Sequence, residues 1–92
     1  MNRQYIKKIK LPASPGVYIF TDGRKNTLYI GRATSLGDRV KSYFSSDLLE
    51  TRGKRIVNMV SRAKFLEYKK TDSVLEAIIL EADLINKFKP IY

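Results

Sequence analysis

The stretch that decides the fold is Gly31-Arg32-Ala33-Thr34-Ser35-Leu36-Gly37-Asp38-Arg39. Two short apolar runs precede it, the first opening with Gly16-Val17-Tyr18 and the second closing with Tyr29-Ile30-Gly31. The polar residues 21–26 between the runs predict a hairpin turn, and helical spacing begins after residue 35. The stretch is therefore predicted to carry the chain from a β-hairpin into a helix.

The composition bounds both the size and the chemistry of the protein. Its 92 residues form one small domain with a modest core. The chain contains no cysteine and no histidine, which excludes disulfide stapling, thiolate metal sites and catalysis by a histidine base. Proton transfer at neutral pH would fall to Tyr, Lys, Glu or Asp, or to a metal-bound water.

The chain is strongly basic, with a formal net charge of +9. Residues 1–70 carry 16 of the 18 basic residues but only 5 of the 9 acidic ones. A body this basic indicates a polyanionic partner, with nucleic acid as the leading candidate and a merely solvated basic surface as the alternative. The candidate residues for such a nucleic-acid contact are Arg32, Arg39, Lys41, Arg52, Lys54 and Arg55.

Nothing in the sequence indicates a membrane partner. It has no run of about 18 apolar residues that could span a bilayer. Residues 1–8 also lack the apolar core of a signal peptide. We therefore expect a cytoplasmic protein, and we expect it to be a monomer.

Periodicity and turn residues predict six regular elements in the order ββααβα, behind a basic arm at residues 1–10. Ser35 is predicted to cap the first helix, on which Arg39 and Tyr43 are i, i+4 neighbours along one edge. We therefore expect an α/β domain with a small three-stranded antiparallel sheet flanked by helices. The predicted strands are 16–20, 27–31 and 65–69, and the predicted helices are 36–44, 51–63 and 74–88.

The spacing of the hairpin also predicts its register. If Phe20 opposes Thr27, then Tyr18 opposes Tyr29, because antiparallel partners keep a constant index sum. Directly opposed residues share a face, so the two tyrosines would stand side by side on one face of the sheet. The core side of the hairpin would then be formed by Val17, Ile19, Leu28 and Ile30.

The last helix carries one carboxylate in an unusual position. At 100° per residue, Glu76 falls on the wet side, and a buried stripe is predicted for Val74, Leu75, Ile78, Ala82 and Ile85. Glu81 lies at the edge of that stripe, where a carboxylate needs a partner or a role. Two interpretations remain open: a salt bridge to the basic body, or a metal ligand or general base that faces the tyrosines and arginines.

The ordered motifs resemble those of the GIY-YIG nucleases. Gly16-Val17-Tyr18 and Tyr29-Ile30-Gly31 match the family's two tripeptides, Arg39 matches its helix arginine, and Glu81 matches its metal-binding glutamate. The UvrC-like branch of the family is similar at residues 11–18, 39–44, 76–85 and 89–92. The resemblance covers residues 11–92 and implies one GIY-YIG nuclease domain, with the GIY-YIG fold, over residues 1–92.

The resemblance implies hydrolysis of a DNA phosphodiester with a single Mg²⁺ or Mn²⁺ held by Glu81. Tyr18 or Tyr29 would orient or deprotonate the attacking water. A free phenol has a pKa near 10, so deprotonation would need the metal and nearby arginines to lower that pKa. Arg39 would stabilise charge on the phosphate, and further phosphate contacts would come from Arg32 and Tyr43.

In UvrC-like proteins this domain makes the cut 3′ of a lesion during nucleotide excision repair. The resemblance implies UvrA and UvrB-like partners that find the lesion and bind outside this chain. Two alternatives are a stand-alone structure-specific GIY-YIG nuclease and a non-catalytic DNA-binding module. Arg32 stands where the family usually has lysine, and the chain stops at Tyr92, where the family continues with asparagine. We therefore expect a fragment of a longer chain.

Overall fold

The computed structural model describes residues 3–92, apart from the side chains of residues 3, 4 and 7. The predicted order ββααβα is confirmed, and a short helix precedes it where the basic arm was expected. Residues 1 and 2 of that arm lie outside the described residues. The elements are α1 (Arg3–Lys8), β1 (Gly16–Thr21), β2 (Thr27–Ala33), α2 (Leu36–Lys41), a 3₁₀ turn (Ser42–Phe44), α3 (Leu48–Arg62), β3 (Phe65–Lys70) and α4 (Val74–Phe88).

The three strands form one antiparallel sheet in the order β2-β1-β3. The predicted hairpin register is wrong by two positions, since Tyr18 opposes Gly31 and Phe20 opposes Tyr29. The loop has five residues, so Thr21 pairs with Thr27, and this shifts the register by one position. A bulge after Phe20 shifts the register by a second position. Because the total shift is even, Tyr18 and Tyr29 still share a face, but on a diagonal.

The same bulge moves Leu28 away from its predicted neighbours. Leu28 is the extra residue of β2 between two paired positions, and it packs with Tyr18 and Phe20. A bulge breaks the strict alternation of side chains, so the residue inside it can join the face of its neighbour. Only Val17, Ile19 and Ile30 form the other side of the hairpin, as predicted.

Helices cover both faces of the sheet. On one face, Tyr18 and Phe20 pack against α2, the 3₁₀ turn and α3, with Leu36, Val40, Tyr43, Leu48, Met59 and Ala63 buried there. On the other face, Val17, Ile19 and Ile30 pack against Ala77 and Leu84 of α4. The domain therefore has two small cores separated by three strands.

The predicted buried stripe of α4 is wrong. Ala77 and Leu84 are the buried residues of this helix, whereas Leu75 is 67% exposed and Ile78 is 42% exposed. The helix is apolar over more than half of its circumference, and periodicity alone does not tell which apolar side meets the sheet. Small Ala77 allows close approach to the strands, and Glu81 follows it by one helical turn on the sheet-facing side.

The ends of α2 and α3 also differ from prediction, whereas the start of α4 agrees with it. Ser35 occupies the N-cap position of α2, but its hydroxyl makes no capping bond. Leu36 and Gly37 instead donate their N–H groups to the carbonyls of Ser14 and Pro12. Helix α3 begins at Leu48, before the predicted start, and is interrupted at Gly53, whose φ of 85° favours glycine. In α4, Ser73 caps as predicted by accepting the Glu76 N–H at 3.1 Å.

Candidate active site

Three tyrosines form one cluster on the α2 and α3 side of the sheet. The hydroxyls of Tyr18 and Tyr43 are 2.6 Å apart, and both residues are almost fully buried. The Tyr29 ring centre lies 6.3 Å from that of Tyr18 and 6.4 Å from that of Tyr43. Tyr29 is partly exposed, so it is the phenol of the cluster that solvent can reach.

The register explains the close packing of this cluster. Tyr18 opposes Gly31 directly, and a Cβ at Gly31 would collide with the Tyr18 ring. The glycine that ends the second tripeptide therefore makes room for the tyrosine that ends the first. This contact is a packing reason for the motif that is separate from any chemistry.

Two arginines flank the tyrosines. Arg52 donates from Nη2 to the Tyr43 hydroxyl at 3.1 Å, and its guanidinium lies 4.8 Å from the Tyr43 ring centre. The Arg39 guanidinium lies 6.0 Å from the same ring centre, and it interacts electrostatically with Tyr18. Arg52, one of the basic residues expected to contact nucleic acid, is half-buried against Tyr43 on α3, which begins early and breaks at Gly53.

Burial sets the charge state of the cluster. It raises the pKa of Tyr18 and Tyr29 above the usual value, and it raises the pKa of Tyr43 to about 12. The nearby arginines oppose this rise without cancelling it. The neighbouring Tyr18 hydroxyl raises the pKa of Arg39 further. The residues themselves therefore present neutral phenols and charged guanidiniums at neutral pH.

Glu81 and Arg32 meet on the other side of the sheet. Arg32 donates from Nη1 to Glu81 Oε1 at 2.8 Å, with 51% of the arginine side chain and 17% of the glutamate side chain exposed. Arg32 opposes Val17, and opposed residues share a face, so Arg32 points to the α4 side. The first of the two interpretations of Glu81, a salt bridge to a basic residue, is thus observed.

One interpretation of the last helix required Glu81 to face the tyrosines, but Glu81 does not face Tyr18 and Tyr43. The sheet lies between the Arg32–Glu81 pair and those two phenols. Arg32 and Arg39 both line a cleft of about 410 Å³ beyond the end of β2. The cleft is also lined by Ala33, Thr34, Ser35, Asp38 and Ser42, which sequence reasoning did not assign to a site. Only the place of residues 33–38 between the two arginines, and of Ser42 three residues after Arg39, could have indicated them.

The donor set fits one hard divalent cation with few protein ligands. Over the described residues 3–92, no group of three or more acidic side chains converges. A magnesium ion commonly keeps several waters and takes only one or two carboxylates. Glu81 supplies one such carboxylate, partly exposed at the edge of the sheet, so it is the residue that would hold Mg²⁺ or Mn²⁺.

The remaining basic residues predicted to bind DNA are spread over two surfaces. Lys41 is exposed beside a groove of about 640 Å³ formed with Ile6, Ile9 and Phe44, away from the tyrosines. Lys54 is exposed on α3. Arg55 donates to the Ile91 carbonyl at 3.3 Å and lies 5.4 Å from the Tyr92 ring centre, so the end of the chain occupies part of its surface.

Among the helices of the described part, none has the length and apolar character needed to cross a bilayer.

Comparison with known proteins gives consistent matches. The family model described as the UvrC-like GIY-YIG domain matches residues 14–92. UvrABC system protein C of Lachnospira eligens is 48% identical over 83 residues, which cover 90% of this chain and 13% of that protein. The corresponding protein of Haloarcula marismortui is 42% identical over 85 residues, which cover 89% of this chain and 14% of that protein. The chain thus spans about one seventh of the length of these curated relatives.

A solved structure matches over the full length. The GIY-YIG N-terminal endonuclease domain of UvrC from Thermotoga maritima, bound to its catalytic magnesium ion, is 35% identical with a TM-score of 0.81. The match covers 100% of this chain and 98% of that one. A point mutant of the same domain, also bound to its catalytic divalent cation, matches with the same TM-score. With its sequence matched over residues 14–92 and its fold over the whole length, this chain belongs to the UvrC-like GIY-YIG domain family.

Proposed function

We propose that this domain is a divalent-metal-dependent DNA endonuclease that hydrolyses one phosphodiester bond and makes the 3′ cut of nucleotide excision repair. The observation that carries the proposal is the cleft beyond β2. Arg32, Arg39 and Asp38 line it, and Glu81 lies beside it, 2.8 Å from Arg32. Two cations that line a cleft, with the Glu81 carboxylate next to one of them, suit a phosphodiester and a metal ion together.

Each residue is assigned a role that its surroundings allow. Arg39 binds the phosphate and stabilises the charge that develops during hydrolysis, since its guanidinium is exposed in the cleft and always charged. Tyr29 orients the attacking water as a neutral phenol. Glu81 holds Mg²⁺ or Mn²⁺, which when bound supplies positive charge to the phosphodiester.

Tyr18 and Tyr43 are positioning residues in this proposal. The Tyr43 hydroxyl is bonded within the cluster to Tyr18 and Arg52, and it is buried. Their rings pack against the Tyr29 ring, and Arg39 lies 6.0 Å from the Tyr43 ring centre. A displacement of about 1 Å in such supporting groups is enough to lower a rate strongly.

DNA binding is assigned to Arg32, Arg39, Lys41 and Lys54. Arg52 and Arg55 already have partners within the domain, and they contribute positive charge. These contacts reach phosphates, so recognition of damage is assigned to partners, as in the UvrABC system named for the relatives. We assign those partners to the UvrA and UvrB types, acting on regions outside these 92 residues. We assign the domain a monomeric state and a place in the cytoplasm, where its DNA substrate lies.

A non-catalytic DNA-binding module is the second candidate, favoured by the Arg32–Glu81 ion pair. The guanidinium occupies one oxygen of the carboxylate that a metal would need. If the pair never opens, the domain binds DNA without cutting it. The two candidates differ in whether Glu81 supports metal-dependent nicking.

The test is nicking of plasmid DNA with Mg²⁺, Mn²⁺ or a chelator. Glu81→Gln keeps the shape of the side chain but removes the charge that a hard cation needs, so it should abolish nicking. Glu76→Gln is the matched control on the same helix, and it should cut like the wild type because Glu76 is exposed. DNA affinity of Glu81→Gln should be equal or slightly higher. Full activity of Glu81→Gln would refute the metal assignment.

A further inference from the structure

We infer that the Arg32–Glu81 ion pair couples metal binding to DNA binding, so that each ligand raises the affinity for the other. The inference rests on the proposed function, because it takes Glu81 as the metal ligand and Arg32 as a phosphate contact. It assigns to Arg32 a second role, that of a counter-ion which occupies the metal ligand until substrate arrives.

The geometry places each member of the ion pair in competition with a ligand. Arg32 competes with the metal ion for Glu81, and Glu81 competes with a DNA phosphate for Arg32. Nη1 of Arg32 lies 2.8 Å from Oε1 of Glu81, a normal charge-assisted hydrogen bond. A cation on that oxygen would meet the positive guanidinium at the same place. The metal can therefore use the full carboxylate only when the guanidinium moves away.

The Arg32 side chain can turn into the cleft when it leaves Glu81. Half of its side chain is exposed, and it lines the cleft that also holds Arg39. A guanidinium carries five N–H donors in a planar fork that fits phosphate oxygens. A DNA phosphate in the cleft would draw Arg32 from Glu81 and leave the carboxylate free for the cation.

Coupling of this kind is reciprocal. If phosphate binding frees Glu81 and so favours the metal, then metal binding must free Arg32 and favour the phosphate by the same factor. Exposed ion pairs shift an equilibrium by up to about fivefold. With Glu81 mostly buried, we expect a coupling of about fivefold from this pair.

The experiment measures Mn²⁺ affinity by calorimetry in the absence of DNA. Arg32→Gln keeps most of the side-chain length but removes the charge, and it should bind Mn²⁺ about fivefold more tightly than the wild type. Arg24→Gln is the matched control, since Arg24 is exposed on the hairpin loop and lies outside the site. Its Mn²⁺ affinity should stay close to that of the wild type. Thermal melts establish that each variant is folded.

The second half measures binding of a short DNA duplex by fluorescence anisotropy, with chelator or with Mn²⁺, and gels establish that the duplex stays uncut. Mn²⁺ should strengthen DNA binding more in the wild type and in Arg24→Gln than in Arg32→Gln. Equal Mn²⁺ affinities of Arg32→Gln and Arg24→Gln would overturn the coupling.

Glu81→Gln separates this outcome from failure of the proposed function. If Glu81→Gln loses Mn²⁺ binding while Arg32→Gln matches the wild type, the metal site stands and only the coupling is wrong. If Glu81→Gln binds Mn²⁺ like the wild type, the metal lies elsewhere, and the coupling is overturned with it.

Discussion

The Tyr43 hydroxyl joins three elements of the domain, and its removal has a defined cost. It lies 2.6 Å from the Tyr18 hydroxyl and accepts a hydrogen bond from Arg52 at 3.1 Å, with the residue only 1% exposed. Tyr43→Phe deletes one oxygen and keeps the ring, whose edge contacts with Tyr18 and Phe20 at 5.7 and 5.2 Å between centres remain. The change therefore isolates the hydrogen bonds from the packing.

The magnitude follows from what is left behind. The Tyr18 hydroxyl loses a partner inside a fully buried site, and a buried polar group left without its bond costs about 1–3 kcal/mol. Each kcal/mol lowers the melting temperature of a domain this size by about 4–8 °C. We expect the free energy of unfolding of Tyr43→Phe to fall by about 1–3 kcal/mol, with a melting temperature at least about 4 °C lower.

Urea titrations and thermal melts followed by circular dichroism measure the difference. The control is Tyr68→Phe, which makes the same chemical change on β3 directly opposite Tyr18, at a residue 38% exposed. A surface change of this kind should stay within about 0.5 kcal/mol. If Tyr43→Phe is as stable as Tyr68→Phe, the hydroxyl contributes nothing to the fold and the reasoning is refuted.

Two further predictions concern pH and the orientation of α4. Burial raises the pKa of Tyr43 from 10.0 to about 12, so the unfolded chain loses this proton at lower pH than the folded one. Stability from this group is intact below pH 10 and should fall by up to about 3 kcal/mol towards pH 12. A smaller fall in Tyr43→Phe, measured by urea titration, would confirm it. On α4, Ala77→Leu should cost about 1–3 kcal/mol because no room exists at a fully buried position, whereas Ile78→Ala should cost less. The opposite order in thermal melts would place the helix the other way round.

Local patterns predicted most of the elements, because each depends on residues close together in the chain. The starts of the three strands, the Ser73 cap of α4 and the end of that helix before Pro90 follow from short-range geometry, whereas each strand runs one or two residues past its predicted end. The site residues were grouped by motif spacing, and the structure brings Arg32 and Arg39 to one cleft and the three tyrosines to one cluster. Their chemical roles remain predictions until the variants are measured.

What the sequence by itself determined is the order of the elements and the basic charge, and its motifs predicted the residues proposed to carry the chemistry. Tertiary structure alone decided the hairpin register, the sheet-facing side of α4, and the pairing of Arg52 with Tyr43 and of Arg32 with Glu81. Each of these depends on how elements distant in sequence fill the space between them. A helix that is apolar on most sides presents several equally hydrophobic faces, and only packing against the strands selects the one that places Glu81 beside Arg32.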